Sequence, residues 1–256
     1  MSTDNTFNYR ARIYENYVNA GLNPLAPHGL DPLEGFQARL YTLRAMVRRL
    51  APPDKQSSIL DLGCGHGAIV YALRQAGYQH VRGIDVSPEQ VEAARRLGVP
   101  GVVQGDIMEA LAATACGSSD CVITYDVIEH LTKSELIDFV DEVHRVLSPG
   151  GRWIIHVPNG ESPFFGRIRY SDFSHELTFT RFSLTQLLKA SGFATVDCFE
   201  DRPVAHGVKS AVRAVLWGFL RLGWLCYIAI ECGVFDRGAI FSQNLTAVAT
   251  TNSDNE

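Results

Sequence analysis

Short apolar runs alternate with amphipathic stretches along most of this chain. One apolar run ends at Asp61, a second spans 81–86 (VRGIDV), a third spans 101–104 and enters Gly105-Asp106-Ile107, and a fourth spans 120–125 and enters Asp126. Runs of this length bounded by turn formers read as strands, and each of these four closes on or near an acid. Three more strands are predicted within 145–158, over 193–200 and over 244–249. Helical signals fill the gaps. Phe36, Leu40, Leu43, Val47 and Leu50 recur at helical spacing until Pro52-Pro53 stops the pattern. Ser87-Pro88-Glu89-Gln90 supplies a cap, a first-turn proline and the far end of a capping box. Thr132 with Glu135 repeats the box before an amphipathic run to Leu147, and another helix starts near Ser183. Strands and helices in alternation predict an α/β fold around a mostly parallel sheet.

The pattern divides the chain into an N-terminal extension (1–56), a core (57–200), an apolar insertion (201–243) and a last core strand with a polar tail (244–256). Within the insertion, Arg213 and Arg221 leave apolar runs of seven and nine residues, shorter than the ~20 a membrane span needs. Residues 211–231, with Trp217, Trp224 and Tyr227, are therefore expected to form a helix or helical hairpin. Such an element covers the core, lies on a membrane surface or forms a homodimer contact.

Composition narrows the function. The 256 residues carry a formal net charge of −5 and a pI near 5.9, which argues against a nucleic-acid partner, because phosphate backbones are bound through clustered Lys and Arg. None of the six cysteines forms a CxxC pair, and the N-terminus is polar. A reduced, cytoplasmic protein is expected, peripheral to the inner face of a membrane if the insertion binds one.

The chemistry starts at Ile59–Gly67 (ILDLGCGHG), where a strand runs through Asp61 into Gly63, Gly65 and Gly67. Glycines at this spacing allow backbone to approach a ligand, and Asp61 sits at the carboxyl end of a strand, where open α/β sheets bind ligands. Asp85 follows 24 residues after Asp61, an offset that suits a carboxylate accepting from ribose hydroxyls. Gly63, Gly65 and Ala68 also satisfy the nicotinamide-dinucleotide pattern. Against that rival, Asp61 would set a negative charge beside a pyrophosphate. The same acid suits a cationic ligand.

With these residues the chain resembles the class I methyltransferases that use S-adenosylmethionine, over roughly residues 57–200, in the DLGCGxG loop, the ribose acid and the LSPGG segment 147–151. The resemblance implies a Rossmann-like seven-stranded sheet of order 3-2-1-4-5-7-6 with an antiparallel last strand and helices on both faces. It implies that Asp61, Gly63, Cys64, Gly65 and Gly67 border the methionine end. Asp85 and Val86 would hold the ribose, Asp106 and Ile107 the adenine, with Tyr125 and Asp126 nearby. It also implies an N-terminal helical lid whose Tyr14 and Tyr17 can close on the ligand.

Asp126, Glu129 and His130 fall at i, i+3 and i+4, one face of a helical turn. Together with His175 they can chelate Mg²⁺ or another divalent cation; alternatively His130 or His175 is a general base with Glu129 beside it. The set resembles that of the ubiquinone-pathway O-methyltransferases, with Asp126 where those carry Glu. The loop 159–180, with Phe164, Arg167, Arg169 and Tyr170, suits a sugar-like acceptor near phosphate and resembles methyltransferases of bacterial surface-polysaccharide and glycolipid assembly. O-methylation of a small or glycan/lipid-linked hydroxyl is expected. An N-acceptor, a nicotinamide oxidoreductase and a catalytically silent nucleoside-binding protein are the alternatives.

Overall fold

The computed structural model describes Arg10, Ile13 and residues 32–253. Seven strands form one sheet: β1 (Ser58–Leu62), β2 (His80–Asp85), β3 (Val102–Gln104), β4 (Ser119–Tyr125), β5 (Leu147–Pro158), β6 (Thr195–Glu200) and β7 (Asn244–Thr250). The order is β3-β2-β1-β4-β5-β7-β6, as the resemblance implied. The pairs among β1–β5 are parallel, and β7 runs antiparallel between β5 and β6. The order reverses between β1 and β4. Their carboxyl ends therefore open the crevice in which such sheets bind ligands.

Period-two alternation sends side chains to two cores. Leu60, Leu62, Val122, Ile155 and Val157 face α5 (Lys133–Val146) and α7 (Arg181–Ala190), whereas Ile59, Cys121, Ile123 and Ile154 face α1 (Pro32–Leu50) and α2 (Ala68–Gln75). Phe36, Leu40, Leu43, Val47 and Leu50 are all buried in the second core, so α1 walls one face of the sheet. Tyr14 and Tyr17 lie outside the described residues.

Helix starts follow local chemistry. The Thr132–Glu135 capping box is reciprocal at the head of α5. At α3 (Pro88–Arg96) only half of the expected box forms. Ser87 Oγ accepts from the Gln90 N–H at 3.4 Å, but the Ser87 N–H donates to Asp85 Oδ1 at 2.9 Å, and Gln90 Oε1 faces His66 Nδ1 at 3.3 Å. The acid at the strand end reaches that donor before the glutamine does. Asp106 likewise caps α4 (Ile107–Ala112), accepting from Met108 and Glu109 N–H at 2.8 and 3.1 Å.

The insertion takes the first of its two expected forms, one continuous helix, α8 (Val208–Cys232). Arginine interrupts an apolar run without interrupting a helix, because its propensity is high. By length and composition α8 could cross a membrane: 25 residues, with a mean hydropathy of 1.4 over its most apolar window. Only Ser210 and Leu225 of it are buried, so it is not a general cover for the core.

Candidate active site

The glycine loop leaves β1 with Gly63, Gly65 and Gly67 at φ 69°, 55° and 79°, a region that side chains rarely adopt. Their surroundings differ. A Cβ on Gly63 would lie 2.5 Å from Val127 Cγ2, and one on Gly67 would lie 2.7 Å from Val102 Cγ2. Beside Gly65 the nearest atom would be Gln90 Oε1, 3.8 Å away. Gly63 and Gly67 are thus required by the protein's own packing, and Gly65 is the glycine with open space in front of it. Cys64 packs against Gly83, and burial pushes its thiol pKa far up, so it is inert filler.

Asp85 ties the loop to the next strand. Its Oδ2 accepts from the Gly65 N–H at 2.7 Å and its Oδ1 from the Ser87 N–H. A carboxylate has about four lone-pair sites, so each oxygen retains capacity for a ribose hydroxyl. Burial raises its pKa, and the Ser87 and Gly65 bonds oppose that rise. Asp61 is fully buried beneath the loop, and neither oxygen has a hydrogen-bond partner among the described residues. Burial, then the Asp85 charge, raise its pKa strongly. It is therefore shut off from the surface it was expected to line, and a cation on the loop would supply the missing counter-charge. Val86 is exposed and Ile107 half-buried at the outer edge of this surface.

Val127, which touches Gly63, leads into a single 3₁₀ turn, Ile128–His130. There the structure gathers Glu129, His130 and His175, with ligand atoms all within 4.8 Å of one another. Glu129 is fully buried, and among the described residues both of its oxygens lack a hydrogen-bond partner. Burial, then Asp126, drive its pKa well up. The loop carrying His175 is fastened to this turn, because Glu176 and Leu177 N–H both donate to the Glu129 carbonyl at 2.8 and 2.9 Å.

Outer partners orient both imidazoles. Ser174 Oγ donates to Asp172 Oδ1 at 2.6 Å and so accepts at 2.9 Å from His130 Nδ1. His175 Nδ1 lies 3.2 Å from the Arg169 carbonyl, where only an N–H fits. Each ring, with the tautomer assigned from these partners, keeps Nε2 as its acceptor nitrogen. Burial, then His175, lower the His130 pKa to about 4, so the ring is neutral at pH 7.

Asp126 does not join this group. It adopts φ 56°, unique to it among the described non-glycine residues, a conformation Asp tolerates better than most. Its Oδ1 accepts instead from His156 Nδ1–H at 2.6 Å, while His156 Nε2–H donates to Asp201 Oδ2 at 2.8 Å. Thr246 Oγ1 donates to the other Asp201 oxygen at 3.0 Å, and Tyr125 stacks on His156 with ring centroids 3.7 Å apart. Burial opposes charge on His156, but Tyr125, Asp126 and Asp201 outweigh it and raise its pKa well up. The expected four-ligand set thus becomes one carboxylate with two imidazoles, and Asp126 is held in a separate carboxylate–imidazolium–carboxylate bridge.

The acceptor-loop candidates also separate. Arg169 donates to the carbonyls of His175 and Glu176 at 2.5 and 3.0 Å, so it positions His175. Phe164, Arg167 and Tyr170 are exposed. Sequence reasoning missed His156, Asp201, Ser174 and His66, and read Gln90 only as part of a capping box. The signal available for His156 was a lone ionisable residue inside the apolar strand WIIHVP.

A sheet that reverses at β1/β4, with a glycine loop on one strand end and a ribose-competent acid on the next, defines a nucleoside-binding α/β enzyme fold. Residues 60–155 match the family described as Methyltransferase domain. The ubiquinone biosynthesis O-methyltransferase of Xylella fastidiosa (strain 9a5c) is 30% identical over 162 residues, 58% of this chain and 63% of that protein. Its counterpart in Xanthomonas oryzae pv. oryzae (strain PXO99A) is 35% identical over 138 residues, 52% of each chain. The chain thus spans 63% and 52% of the length of these curated relatives. A solved SAM-dependent methyltransferase from Archaeoglobus fulgidus superposes with a TM-score of 0.63 at 20% identity, over 85% of this chain and 97% of that one, a likeness of fold. These comparisons support a class I S-adenosylmethionine-dependent methyltransferase, with S-adenosylmethionine as its cofactor.

Proposed function

We propose that this protein transfers the methyl group of S-adenosylmethionine to a hydroxyl oxygen of a small, glycan-linked or lipid-linked acceptor, with Glu129, His130 and His175 holding a divalent cation beside the reacting groups. The observation that carries this reading is the buried carboxylate of Glu129, without a hydrogen-bond partner among the described residues and within 4.8 Å of two imidazole ligand atoms, on a turn whose Val127 abuts the cofactor loop. One carboxylate and two imidazoles make a mixed oxygen and nitrogen donor set with positions left for an acceptor. A cation there would supply Lewis acidity to an acceptor hydroxyl.

The chain's own residues account for the rest. Asp85 and the Gly65 backbone fix the nucleoside, Asp61 favours its positive end, and the Glu129 turn and the His175 loop hold the acceptor oxygen in line with the methyl carbon and sulfur. Such positioning supplies most of the rate when the donor is already a reactive sulfonium. Where no cation is held, the free Nε2 of His130 or His175 would instead take the hydroxyl proton. The relatives named for ubiquinone O-methylation support an oxygen acceptor, and the reading puts the protein in the cytoplasm, at the inner face of its membrane.

The test is methyl-labelled donor incubated with soluble, glycan and lipid extracts, with and without chelator. Label in a hydroxyl-derived ether, lost on chelation and restored by Mg²⁺ or Mn²⁺, is the expected result. Transfer unaffected by chelator but lost in His175→Ala would replace the cation by a histidine base, and label on nitrogen would overturn the O-methyl reading.

A further inference from the structure

Helix α8 is built inside out. The residues it turns toward the protein, among them Ser210, Trp217, Arg221, Trp224, Leu225 and Ile228, recur at three- and four-residue spacing and include its central charge. Arg221 donates to Glu200 at 3.2 Å and to the carbonyls of Arg237 and Ala239 at 2.8 and 3.2 Å. Leu225 packs with Ala239 and Phe241. The solvent side carries the apolar residues instead: Val212, Val215, Phe219, Leu222 and Ile230 are all more than half exposed. At 3.6 residues per turn the exposed positions cover roughly two-thirds of the circumference.

That breadth selects the occupant. A helix packed against one neighbour buries a stripe ~100° wide, so a second copy in a helix-to-helix contact would leave much of this face wet. A bilayer wets none of it. Because residues 217–228 are tied along one side to the protein body, lipid cannot surround the helix, and it must lie in the membrane plane. Charge agrees. Arg202 and Arg221 pair with Glu200, which leaves Lys209, Arg213 and Arg237 against Glu231 and Asp236 over residues 202–238 in a chain of net charge −5, the sign that anionic headgroups favour.

The face continues toward the active site. Beyond the helix, Val234 and Phe235 are exposed, and Asp236 accepts from Arg181 at 2.5 Å, whose guanidinium lies 4.4 Å over the exposed Phe182 ring. Phe164 and Phe173, on the loop that carries His175, are also exposed. We propose that α8 docks in the plane of an anionic bilayer with its Val212–Ile230 face among the acyl chains, setting the 160–175 loop at headgroup level, so that the acceptor is the hydroxyl of a membrane-resident lipid. The acceptor half of this proposal rests on the methyl-transfer reading; the docking half does not.

Flotation of the full chain with phosphatidylcholine vesicles, with and without phosphatidylglycerol, tests it. Flotation with the anionic vesicles is expected, reduced about tenfold or more in Phe219→Asp/Ile230→Asp, with circular dichroism and calorimetric binding of S-adenosylhomocysteine unchanged. Wild-type protein that stays unbound, or that sediments as a dimer broken by the same substitutions without ever floating, overturns the docking. Flotation combined with label only in water-soluble acceptors overturns the lipid acceptor and leaves methyl transfer standing. Loss of S-adenosylhomocysteine binding in the wild type would sink the functional reading independently of flotation.

Discussion

Glu129 carries a buried carboxyl group that no described residue hydrogen-bonds. A buried acid in that state destabilises when ionised, and burial followed by the Asp126 charge raises its pKa accordingly. Glu129→Gln keeps the shape and removes the ionisation. Thermal unfolding should show a Tm equal to or above wild type, while methyl transfer falls tenfold or more; a lower Tm with full turnover would make Glu129 a structural residue. Gly63 makes the opposite case. A β-branched side chain there meets both φ 69° and Val127 at 2.5 Å. The backbone alone costs about 1–2 kcal/mol, and the clash pushes the 126–130 turn off the loop. Gly63→Val should abolish S-adenosylhomocysteine binding by calorimetry. Gly65→Ala meets nothing nearer than 3.8 Å, so it should fold better and weaken binding less.

Among the helices, α5 forms because sequence and packing agree. Leu136, Phe139, Val140, Val143 and Val146 fall on one face and are all buried, and Thr132 with Glu135 closes the N-terminus. Thr132→Ala should cost about 1 kcal/mol in chemical denaturation. Arg10 adds a fork to the same carboxylate, at 3.1 and 2.8 Å. Burial works against ionisation of Glu135, yet the bonds from Arg10 and Thr132 prevail and hold its pKa down to about 2. Elements of this kind are legible because their information is local: the period, the cap and the stop lie within a few residues. Where the expectation failed, a third party had intervened. Asp85 took the Ser87 N–H and left Gln90 to His66, and Arg221 found Glu200 inside, so α8 is long and apolar enough for a span despite the charge that cut its apolar runs short.

Charges brought together across the sheet were invisible in the sequence for the same reason. Asp126 and Asp201 meet His156 from 30 and 45 residues away, at the ends of three strands, and no spacing rule connects them, whereas the glycine loop and Asp85 announce themselves within one βαβ unit. The bridge and the His130 site give the folded protein opposite responses to pH. His156 has a folded pKa raised above its unfolded value near 6.5, so its contribution to stability is complete below pH ~6.5 and is lost as pH rises through the folded value. His130, held neutral with a folded pKa of about 4, contributes above pH ~6.5 and loses that contribution as pH falls from there toward 4. Denaturation free energies measured from pH 4 to 10 should therefore fall off on both sides. His156→Gln should flatten the alkaline side alone, because glutamine keeps polar contact without a proton to lose. It should also lower stability near pH 6, where Asp126 and Asp201 would face each other without the imidazolium between them. Parallel curves for the two proteins above pH 6.5 would mean that His156 is neutral in the fold and that the bridge is held by hydrogen bonds alone.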